Sequence, residues 1–384
     1  MKLLYISPSP PNNMERMRSL NILKSLQSKN IEITLITLYN KRQEKYLKEL
    51  KKYASKVINI KYSKIIAIFY AIISVILPIP VRVGYCFNFR LRSLLKKNKE
   101  KYDIVYIKRL RMAQYKKYIK ASKIYIDITD SMTKYFDRLR KKERGLKKVL
   151  FIEEYYKHKK YEINICENNK NIIICSEDDK KYIENLSTKT IGNISVVENV
   201  LDIDKWNCNK ISIRESKDRN KLVFLGIMDY EPNIIAVEFI INKIMPNLED
   251  EYKLEIIGPK VPMKLKKLED SRVKFCGYVE SVKDKLLQND IFICPIYAGS
   301  GTKNKILQAG MVGLPIICTD MAIEGLNNEI RNVVYLANNE KEFVERIKEI
   351  HNMPKEILEK RIELQKSIIK KYNSIEIIGK KIIK

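Results

Sequence analysis

One stretch of the chain, residues 291–319, limits the possible folds more than any other. It begins with an apolar, β-branched run closed by Pro295, continues through a loop with two glycines, and then carries apolar residues at helical spacing. A second apolar run, residues 314–318, follows directly. The order of strand, glycine loop, helix and strand predicts a βαβ unit with parallel strands. The loop then lies outside the carboxyl end of a strand, where open parallel sheets bind ligands.

The same loop has the residue types of a phosphate site. Gly299 and Gly301 allow backbone N–H groups to approach a phosphate closely, and the N-terminus of the following helix adds a partial positive charge. Lys303 and Lys305 add two full positive charges. A diphosphate fits this description. A connection between strand and helix that binds no ligand is the alternative interpretation.

Strand and helix patterns alternate along most of the chain. Further apolar or β-branched runs of strand length occupy residues 3–6, 31–38, 103–107, 124–128, 171–176, 222–225, 254–257 and 273–276. The length of 384 residues is too great for one compact core and suits two domains. We therefore predict an α/β protein with two domains, and we place their boundary in the polar segment 205–217.

The net charge of +28 is concentrated in the first half of the chain. Residues 1–200 contain 43 Lys and Arg against 19 Asp and Glu, whereas residues 201–384 contain 31 against 27. A compositional bias of the genome would act on both halves alike. The asymmetry therefore favours an anionic partner for the first half, either a membrane surface or a nucleic acid.

The cysteines and histidines indicate neither disulfides nor a metal. The seven cysteines form no C-x-x-C pair, and three of them lie in apolar runs, so we predict reduced core residues and a cytoplasmic protein. Met1 leads directly into a strand-like run, so we expect no signal peptide. His158 and His351 lie in charged, helix-like stretches. We predict no metal and no cofactor.

The segment Ile65–Leu77 is apolar and uncharged over thirteen residues, with Lys61 and Lys64 before it and Arg82 after it. A membrane span needs about 20 apolar residues, so this segment is too short to cross a bilayer. Two interpretations are open. It is either a buried helix of the first domain or a helix in the lipid headgroup region, with its basic neighbours on anionic lipid. The second would place the protein peripherally on the inner face of a membrane.

Several segments resemble one enzyme family. Residues 295–319 resemble the donor-binding segment of the retaining GT-B glycosyltransferases of family 4, which reads P-x-x-x-G-x-G-x-K-x-K-x-L-E-A-M-x-x-G-x-P-V-V-x-T, and residues 324–326 resemble its continuation. Residues 226–233 resemble the G-x-M-D-[WY]-x-P-N segment that borders the donor phosphates. Residues 194–202 resemble the V-x-P-N-G-V-D hinge after the first domain, with Val200 in place of glycine.

The resemblance implies a fold and a function for each domain. The fold would be GT-B, with two Rossmann-like βαβ domains that face a cleft and a C-terminal helix that crosses back to the first domain. Residues 1–205 would form the acceptor-binding domain, residues 206–360 the donor-binding domain, and residues 361–384 the returning helix. The implied activity is that of a hexosyltransferase. It would move a sugar from a nucleotide diphosphate-sugar, with retention of configuration, to a cell-surface polysaccharide, a lipopolysaccharide or a lipid-linked acceptor.

The resemblance also implies roles for individual residues. Charge stabilisation of the leaving diphosphate would come from Lys303 and Lys305, with Asp130 on the acceptor side of the cleft. The residues implied for donor binding are Gly226, Met228, Asp229, Asn233, Tyr278, Val279, Gly299, Ser300, Gly301, Thr302, Gln308 and Glu324. On the acceptor side, Glu15, Arg16 and Arg18 match the family's G-[DE]-x-x-R motif, with Met14 in place of its glycine.

The chain departs from the family pattern at three further positions. The family's two glutamates, which have seven residues between them, fall on Ser300 and Gln308. Glutamine can still donate and accept hydrogen bonds with a ribose. The first-domain histidine of many members is missing, and Thr129 or Asp130 is the nearest substitute. Asp130 could also be the N-cap of a helix that starts near Met132.

Two other classes of function stay open. The departures would suit an inactive GT-B relative that acts as an adaptor. The net charge of +28 would suit a nucleic-acid-binding protein, but the chain contains no recognised nucleic-acid module, so we expect no nucleic-acid partner.

Overall fold

The computed structural model describes residues 1–12, 17–27, 31–208, 213–297 and 304–382. These residues form two compact units. The first unit comprises Met1–Val200 together with Ile375–Lys384, and the second comprises Leu201–Ser374. The sequence-based boundary at residue 205 is therefore five residues late. The long helix Lys355–Asn373 belongs to the second unit, so the segment assigned to the first unit at the chain end starts at residue 375 rather than 361.

The first unit contains a parallel sheet of seven strands in the order β3-β2-β1-β4-β5-β6-β7. The strands are β1 (Lys2–Ser7), β2 (Glu32–Tyr39), β3 (Lys56–Lys61), β4 (Tyr102–Lys108), β5 (Ala121–Thr129), β6 (Asn171–Ile174) and β7 (Asn193–Val196). Both faces of the sheet are covered, because alternate residues of β1 enter two different hydrophobic clusters: Leu4 and Ile6 enter one, and Leu3 and Tyr5 enter the other.

The helices of the first unit connect these strands. They are α1 (Met17–Gln27), α2 (Leu47–Leu50), α3 (Lys64–Ile76), α4 (Val81–Tyr85), α5 (Phe89–Lys97), α6 (Met132–Lys142), α7 (Gly145–Glu167) and α8 (Glu177–Leu186). Two 3-10 helices, Lys41–Tyr46 and Leu110–Tyr118, lie between them. The final helix of the chain, numbered α17 below, also packs in this unit against α1.

The second unit contains a parallel sheet of six strands in the order β10-β9-β8-β11-β12-β13. The strands are β8 (Lys221–Leu225), β9 (Lys253–Ile257), β10 (Val273–Gly277), β11 (Ile291–Cys294), β12 (Ile316–Cys318) and β13 (Tyr335–Leu336). The predicted βαβ unit is confirmed, since β11 and β12 are parallel neighbours separated in sequence by a helix.

The remaining helices complete the alternation. They are α9 (Ile203–Trp206), α10 (Glu231–Phe239), α11 (Met263–Lys266), α12 (Val282–Leu286), α13 (Asn304–Val312), α14 (Asp320–Ile323), α15 (Glu340–Asn352), α16 (Lys355–Asn373) and α17 (Ile375–Ile382). A π-helical turn, Ile240–Ile244, continues α10, and three 3-10 helices lie at Ser216–Asp218, Met245–Asn247 and Asn328–Asn332.

Each sheet has one point at which the strand order reverses. In the first unit it lies between β1 and β4, and in the second between β8 and β11. The connections on either side of such a point run to opposite faces of the sheet, which opens a crevice at the carboxyl ends of the strands. These two crevices are therefore where ligands are expected.

The apolar helix α3 is exposed, so its interpretation as a buried helix was wrong. Only Ala67 and Ser74 are buried, whereas Ile65 is 80% and Ile76 is 88% exposed. The helix is held mainly at its C-terminal end. Gly84 of α4 allows a close approach there, since a Cβ atom at Gly84 would lie 1.7 Å from the Ser74 hydroxyl oxygen. Among the described residues, no helix has the length and apolarity needed to span a membrane.

Candidate functional site

Glycines hold together the connections that follow β8, β9 and β10. The Gly226 N–H donates to the Ile257 carbonyl at 2.9 Å, and the Gly258 N–H donates to the Gly277 carbonyl at 2.9 Å. Gly258 has a φ of +149°, and a Cβ atom there would lie 1.7 Å from the Gly226 carbonyl oxygen. Because no side chain fits in this position, the backbones themselves form the floor of the crevice beside β8.

Asn233 and Lys305 link the two sides of this crevice. Asn233 is buried near the start of α10, and its Nδ2 donates to the Ile227 carbonyl at 2.9 Å. Its Oδ1 accepts from the Lys305 Nζ at 2.7 Å. A Cβ atom at Gly226 would come within 2.7 Å of the Asn233 amide, so glycine is required there. The connection after β8 is therefore joined to α13, which follows β11.

Lys305 is held in a fixed place by a second contact as well. Its Nζ lies 4.3 Å from the centroid of the ring of Phe224 in β8, which is a cation–π contact. Lys305 is also the second residue of α13, so its full charge adds to the positive end of the helix dipole. This arrangement concentrates positive charge at the carboxyl edge of the sheet, and an anion is the ligand that it suits.

Gln308 lies one helical turn after Lys305 on α13, and its side chain is buried. Positions three apart on a helix share a face, so both side chains are on the same side of α13. Glu324 follows α14 at the carboxyl edge near β12 and is half-buried. The structure therefore places three of the predicted donor positions, Asn233, Gln308 and Glu324, on elements that follow β8, β11 and β12 at the carboxyl edge of the second sheet.

The other predicted donor residues that the structure describes border the same edge. Asp229 and Tyr278 are exposed, and Asp229 forms an ion pair with Lys260 after β9. The Met228 side chain is fully buried, while its N–H donates to the Pro259 carbonyl at 3.0 Å. Val279 is half-buried next to Tyr278. The predicted residues Gly299, Ser300, Gly301, Thr302 and Lys303, and on the acceptor side Glu15 and Arg16, lie outside the described residues.

Asp130 follows β5 in the first unit and is not a helix cap. The N-cap of α6 is Ser131, whose hydroxyl accepts from the Lys134 N–H at 3.2 Å. Asp130 instead accepts from the Cys175 thiol at 2.8 Å and from an Arg109 guanidinium nitrogen at 3.4 Å. Its carboxylate is half-buried at the carboxyl edge of the sheet, so the capping interpretation was wrong by one residue.

Asp130, Cys175 and Asp179 form the group in the described part of the chain whose spacing would suit a metal ion. Their chemistry does not fit one. Burial and the adjacent Asp130 carboxylate raise the pKa of the Cys175 thiol well above its ordinary value, whereas metal binding requires a thiolate. Lys134 pairs with Asp179 at 3.0 Å. The three groups are thus satisfied by their protein neighbours.

A buried charge network in the first unit was not predicted from the sequence. The Asp127 carboxylate accepts from the Lys108 ammonium at 2.6 Å and from the Tyr106 hydroxyl at 2.5 Å, and the Arg18 guanidinium lies 3.6 Å away. Burial alone would raise the pKa of Asp127, but Lys108 and Arg18 outweigh it and lower this pKa. Burial lowers the pKa of Lys108 to about 7.

Arg18, predicted on the acceptor side, is almost fully engaged inside this unit. Its guanidinium also donates to the backbone carbonyls of Val197 at 2.8 Å and Glu198 at 2.7 Å. These bonds fix α1 to the end of β7 and to β5. A second unpredicted feature is the buried Glu162 of α7, whose carboxylate accepts from the Met132 and Thr133 N–H groups at the N-terminus of α6.

Several solved structures have the same fold over nearly the whole chain. HepE of Anabaena, crystallised with UDP and glucose, covers 100% of this chain and 98% of its own at 12% identity, with a TM-score of 0.66. Sucrose-phosphate synthase from Thermosynechococcus elongatus covers 99% and 97% at 12% identity, with a TM-score of 0.72. WaaG, a glycosyltransferase involved in lipopolysaccharide biosynthesis, covers 100% and 99% at 12% identity, with a TM-score of 0.67.

The two Rossmann-like sheets and these neighbours show that the chain has the GT-B fold, as the sequence resemblance implied. Residues 219–353 match the family model described as Glycosyl transferases group 1. That segment runs from just before β8 to the end of α15, so it contains Asn233, Lys305 and Gln308. No curated protein sequence matches the chain significantly.

Proposed function

We propose that this protein is a retaining glycosyltransferase of the family 4 type, which transfers a hexosyl group from a nucleotide diphosphate-sugar. The observation that carries the proposal is the Lys305–Asn233 contact at the point of strand reversal in the second sheet. It holds an ammonium group at the N-terminus of α13, within the segment that matches the glycosyltransferase family. The UDP in the HepE structure supports a nucleotide diphosphate as the leaving group.

The proposed reaction needs positive charge more than an acid or a base. The bond between the sugar C1 and the diphosphate oxygen breaks, and the acceptor hydroxyl oxygen forms a bond with C1 on the same face. The hydroxyl proton passes to an oxygen of the departing diphosphate. Negative charge grows on that diphosphate, and Lys305, Lys303 and the N-terminus of α13 would stabilise it. Gln308 would bind the ribose, and Asp130 would orient the acceptor from the first unit.

The acceptor side of the proposal rests on the first unit. Glu15 and Arg16 would act there in positioning the acceptor, whereas the buried Arg18 would hold α1 in place through its bonds to the Val197 and Glu198 carbonyls. We propose that the acceptor is a cell-surface polysaccharide, a lipopolysaccharide or a lipid-linked glycan. WaaG, a structural neighbour, is described as involved in lipopolysaccharide biosynthesis. A protein that builds such a molecule before export would work in the cytoplasm, at the inner face of a membrane.

The exposed apolar helix α3 supports a further part of the proposal, which is peripheral binding to an anionic membrane. Its outer face carries Phe69 and Ile72, both more than half exposed, and residues 51–150 contain 27 Lys and Arg against 6 Asp and Glu. An exposed apolar helix with basic surroundings can lie in the headgroup region of anionic lipid. The double variant Phe69→Ser with Ile72→Ser should lose binding to anionic vesicles, whereas Met263→Ser, an equally exposed apolar site in the second unit, should not.

Donor turnover tests the enzymatic claim. The full chain is incubated with a panel of nucleotide diphosphate-sugars, and release of the nucleotide diphosphate is followed with and without a membrane extract as the source of acceptor. We expect one donor to be consumed faster with the extract, and NMR of the product should show the anomeric configuration of the donor. Inversion would refute the retaining assignment. If no donor is turned over, the second candidate function, an inactive GT-B adaptor, is favoured. The observation behind this candidate is Gln308, which stands where the family has a glutamate.

A further inference from the structure

We propose that the first unit binds an amphiphile with a phosphate head group, at two adjoining cavities that share Arg111. The inference rests on the proposed function only in naming this ligand as the acceptor. Both cavities lie at the carboxyl edge of the first sheet. One is lined by residues that follow β4 and β5, and the other by residues at the ends of β1, β2 and β3.

The smaller cavity, here called the arginine cavity, has a volume of about 230 Å³. Arg82, Arg109 and Arg111 line it together with His158 and Met132. Burial lowers the pKa of His158 to about 4, so this histidine is neutral at pH 7. Three arginine residues thus line one small space without a further cation from His158, and the cavity can hold a phosphate group.

The charges in the arginine cavity are only partly balanced by the protein. Arg109 pairs with Asp130 at 3.4 Å, and Arg82 stacks over the Tyr135 and Phe136 rings. Among the described residues, no carboxylate lies within ion-pair distance of Arg82 or Arg111. Arg111 is the least satisfied, because its Nε is buried without a hydrogen-bond partner.

In the part of the chain that the structure describes, no neighbouring group acts as a counter-ion for Arg111. The thiol of Cys86 is close, but burial raises its pKa, so it stays neutral. Burial lowers the pKa of Arg111, and the charges on Arg109 and Arg82 lower it further. A buried, unpaired cation is unfavourable, so an external anion would stabilise this arrangement.

The larger cavity, here called the α3 cavity, has a volume of about 670 Å³. Aromatic and aliphatic residues such as Ile66, Tyr70 and Phe87 make up about half of its lining. Lys61 and Arg90 also line it, and Arg111 is its link to the arginine cavity. A volume of this size is typical of sites for organic ligands. Because Ile66 and Tyr70 belong to α3, the apolar space lies directly beside the exposed apolar face of that helix.

Together these features select a lipid phosphate over a water-soluble one. A free phosphate or sugar phosphate would use the arginine cavity alone. An amphiphile would place its phosphate among the guanidinium groups and its chain in the α3 cavity, and would reach that cavity from the bilayer along α3. The acceptor of the proposed transferase would then be a lipid-linked molecule with a phosphate near its glycan.

Three soluble probes separate the two parts of the site. Octyl phosphate has both head and chain, octyl glucoside has the chain with a neutral head, and inorganic phosphate has the head alone. Titrated into the full chain below micellar concentration, octyl phosphate should bind at least about tenfold more tightly than either of the others, since loss of one charge-assisted contact weakens binding about tenfold to a hundredfold. Equal binding of inorganic phosphate, or of octyl glucoside, would overturn the proposal.

Variants locate the binding. Arg111→Gln and Arg82→Gln should each weaken octyl phosphate binding about tenfold to a hundredfold, while Lys120→Gln, at the amino edge of the sheet, should not. The melting temperature of Arg111→Gln without ligand should equal or exceed that of the parent, because an unpaired buried charge is removed. Unchanged affinity in both arginine variants, or a lower melting temperature in Arg111→Gln, would contradict the assignment. Nucleotide binding should be unaffected, so octyl phosphate binding without any donor binding would refute the proposed function alone.

Discussion

The substitution Lys305→Met tests the donor site most sharply, because the structure shows what the change would leave intact. Methionine keeps most of the side-chain length and can still pack against Phe224, but it removes the ammonium group and its 2.7 Å hydrogen bond to Asn233. Asn233 retains its bond to the Ile227 carbonyl, so α10 should stay in place. The fold is therefore expected to survive the change.

The size of the effect follows from the kind of contact that is lost. A hydrogen bond to a charged group contributes about 1.5–3 kcal/mol, which corresponds to a loss of roughly tenfold to 150-fold in affinity for a nucleotide diphosphate. Isothermal titration of the parent and of Lys305→Met measures this difference directly. Lys264→Met is the matched control, since Lys264 is an exposed lysine of the same unit that pairs with Glu238. An affinity in Lys305→Met within twofold of the parent would remove α13 from the donor site.

Substitutions at two further positions, Gln308 and Lys108, test the site and the core. Gln308→Leu should weaken nucleotide binding about fivefold to a hundredfold, because the ribose hydroxyl groups lose a partner. Gln308→Glu should keep or raise the rate of sugar transfer. An unchanged nucleotide affinity in titrations of Gln308→Leu would exclude a contact between Gln308 and the ribose. Lys108 has its pKa lowered from 10.5 to about 7 by burial, so the unfolded chain binds more protons than the folded chain between these pH values and the free energy of unfolding rises with pH. Urea denaturation should show a rise of about 2 kcal/mol from pH 7 to pH 9 in the parent relative to Lys108→Met, and equal pH profiles would contradict the lowered pKa.

The sequence predicted the fold well because its signals are local. The glycine loop between the runs at 291–294 and 314–318 predicts a strand, a helix and a second strand, and such a unit has essentially one handedness. Repetition of this pattern along both halves predicts an α/β protein with two domains. The order of the strands and the point of reversal follow only from the structure, and these place Lys305 of α13 beside Asn233 of α10.

The features that the sequence did not predict have a common physical cause, because each depends on residues that are distant in the sequence. Lys108 and Asp127 are nineteen residues apart and meet because β4 and β5 pair in a register that sets them opposite each other. Nothing in either local sequence marks that register. The sequence left the burial of α3 undecided, because an apolar composition identifies a surface that avoids water but does not identify what covers that surface.

The measurement that tests the central claim most directly is the binding of nucleotide diphosphates to the full chain, followed by thermal unfolding. A ligand at 100 times its dissociation constant stabilises the native state by about 2.7 kcal/mol, which for a unit of this size raises the melting temperature by about 5–10 °C. We predict such a rise, saturable with concentration, for at least one nucleotide diphosphate, and we predict that Lys305→Met reduces it while Lys264→Met does not. If no nucleotide diphosphate or nucleotide diphosphate-sugar shifts the melting temperature at millimolar concentration, the second unit has no donor site and the proposed transferase function is wrong.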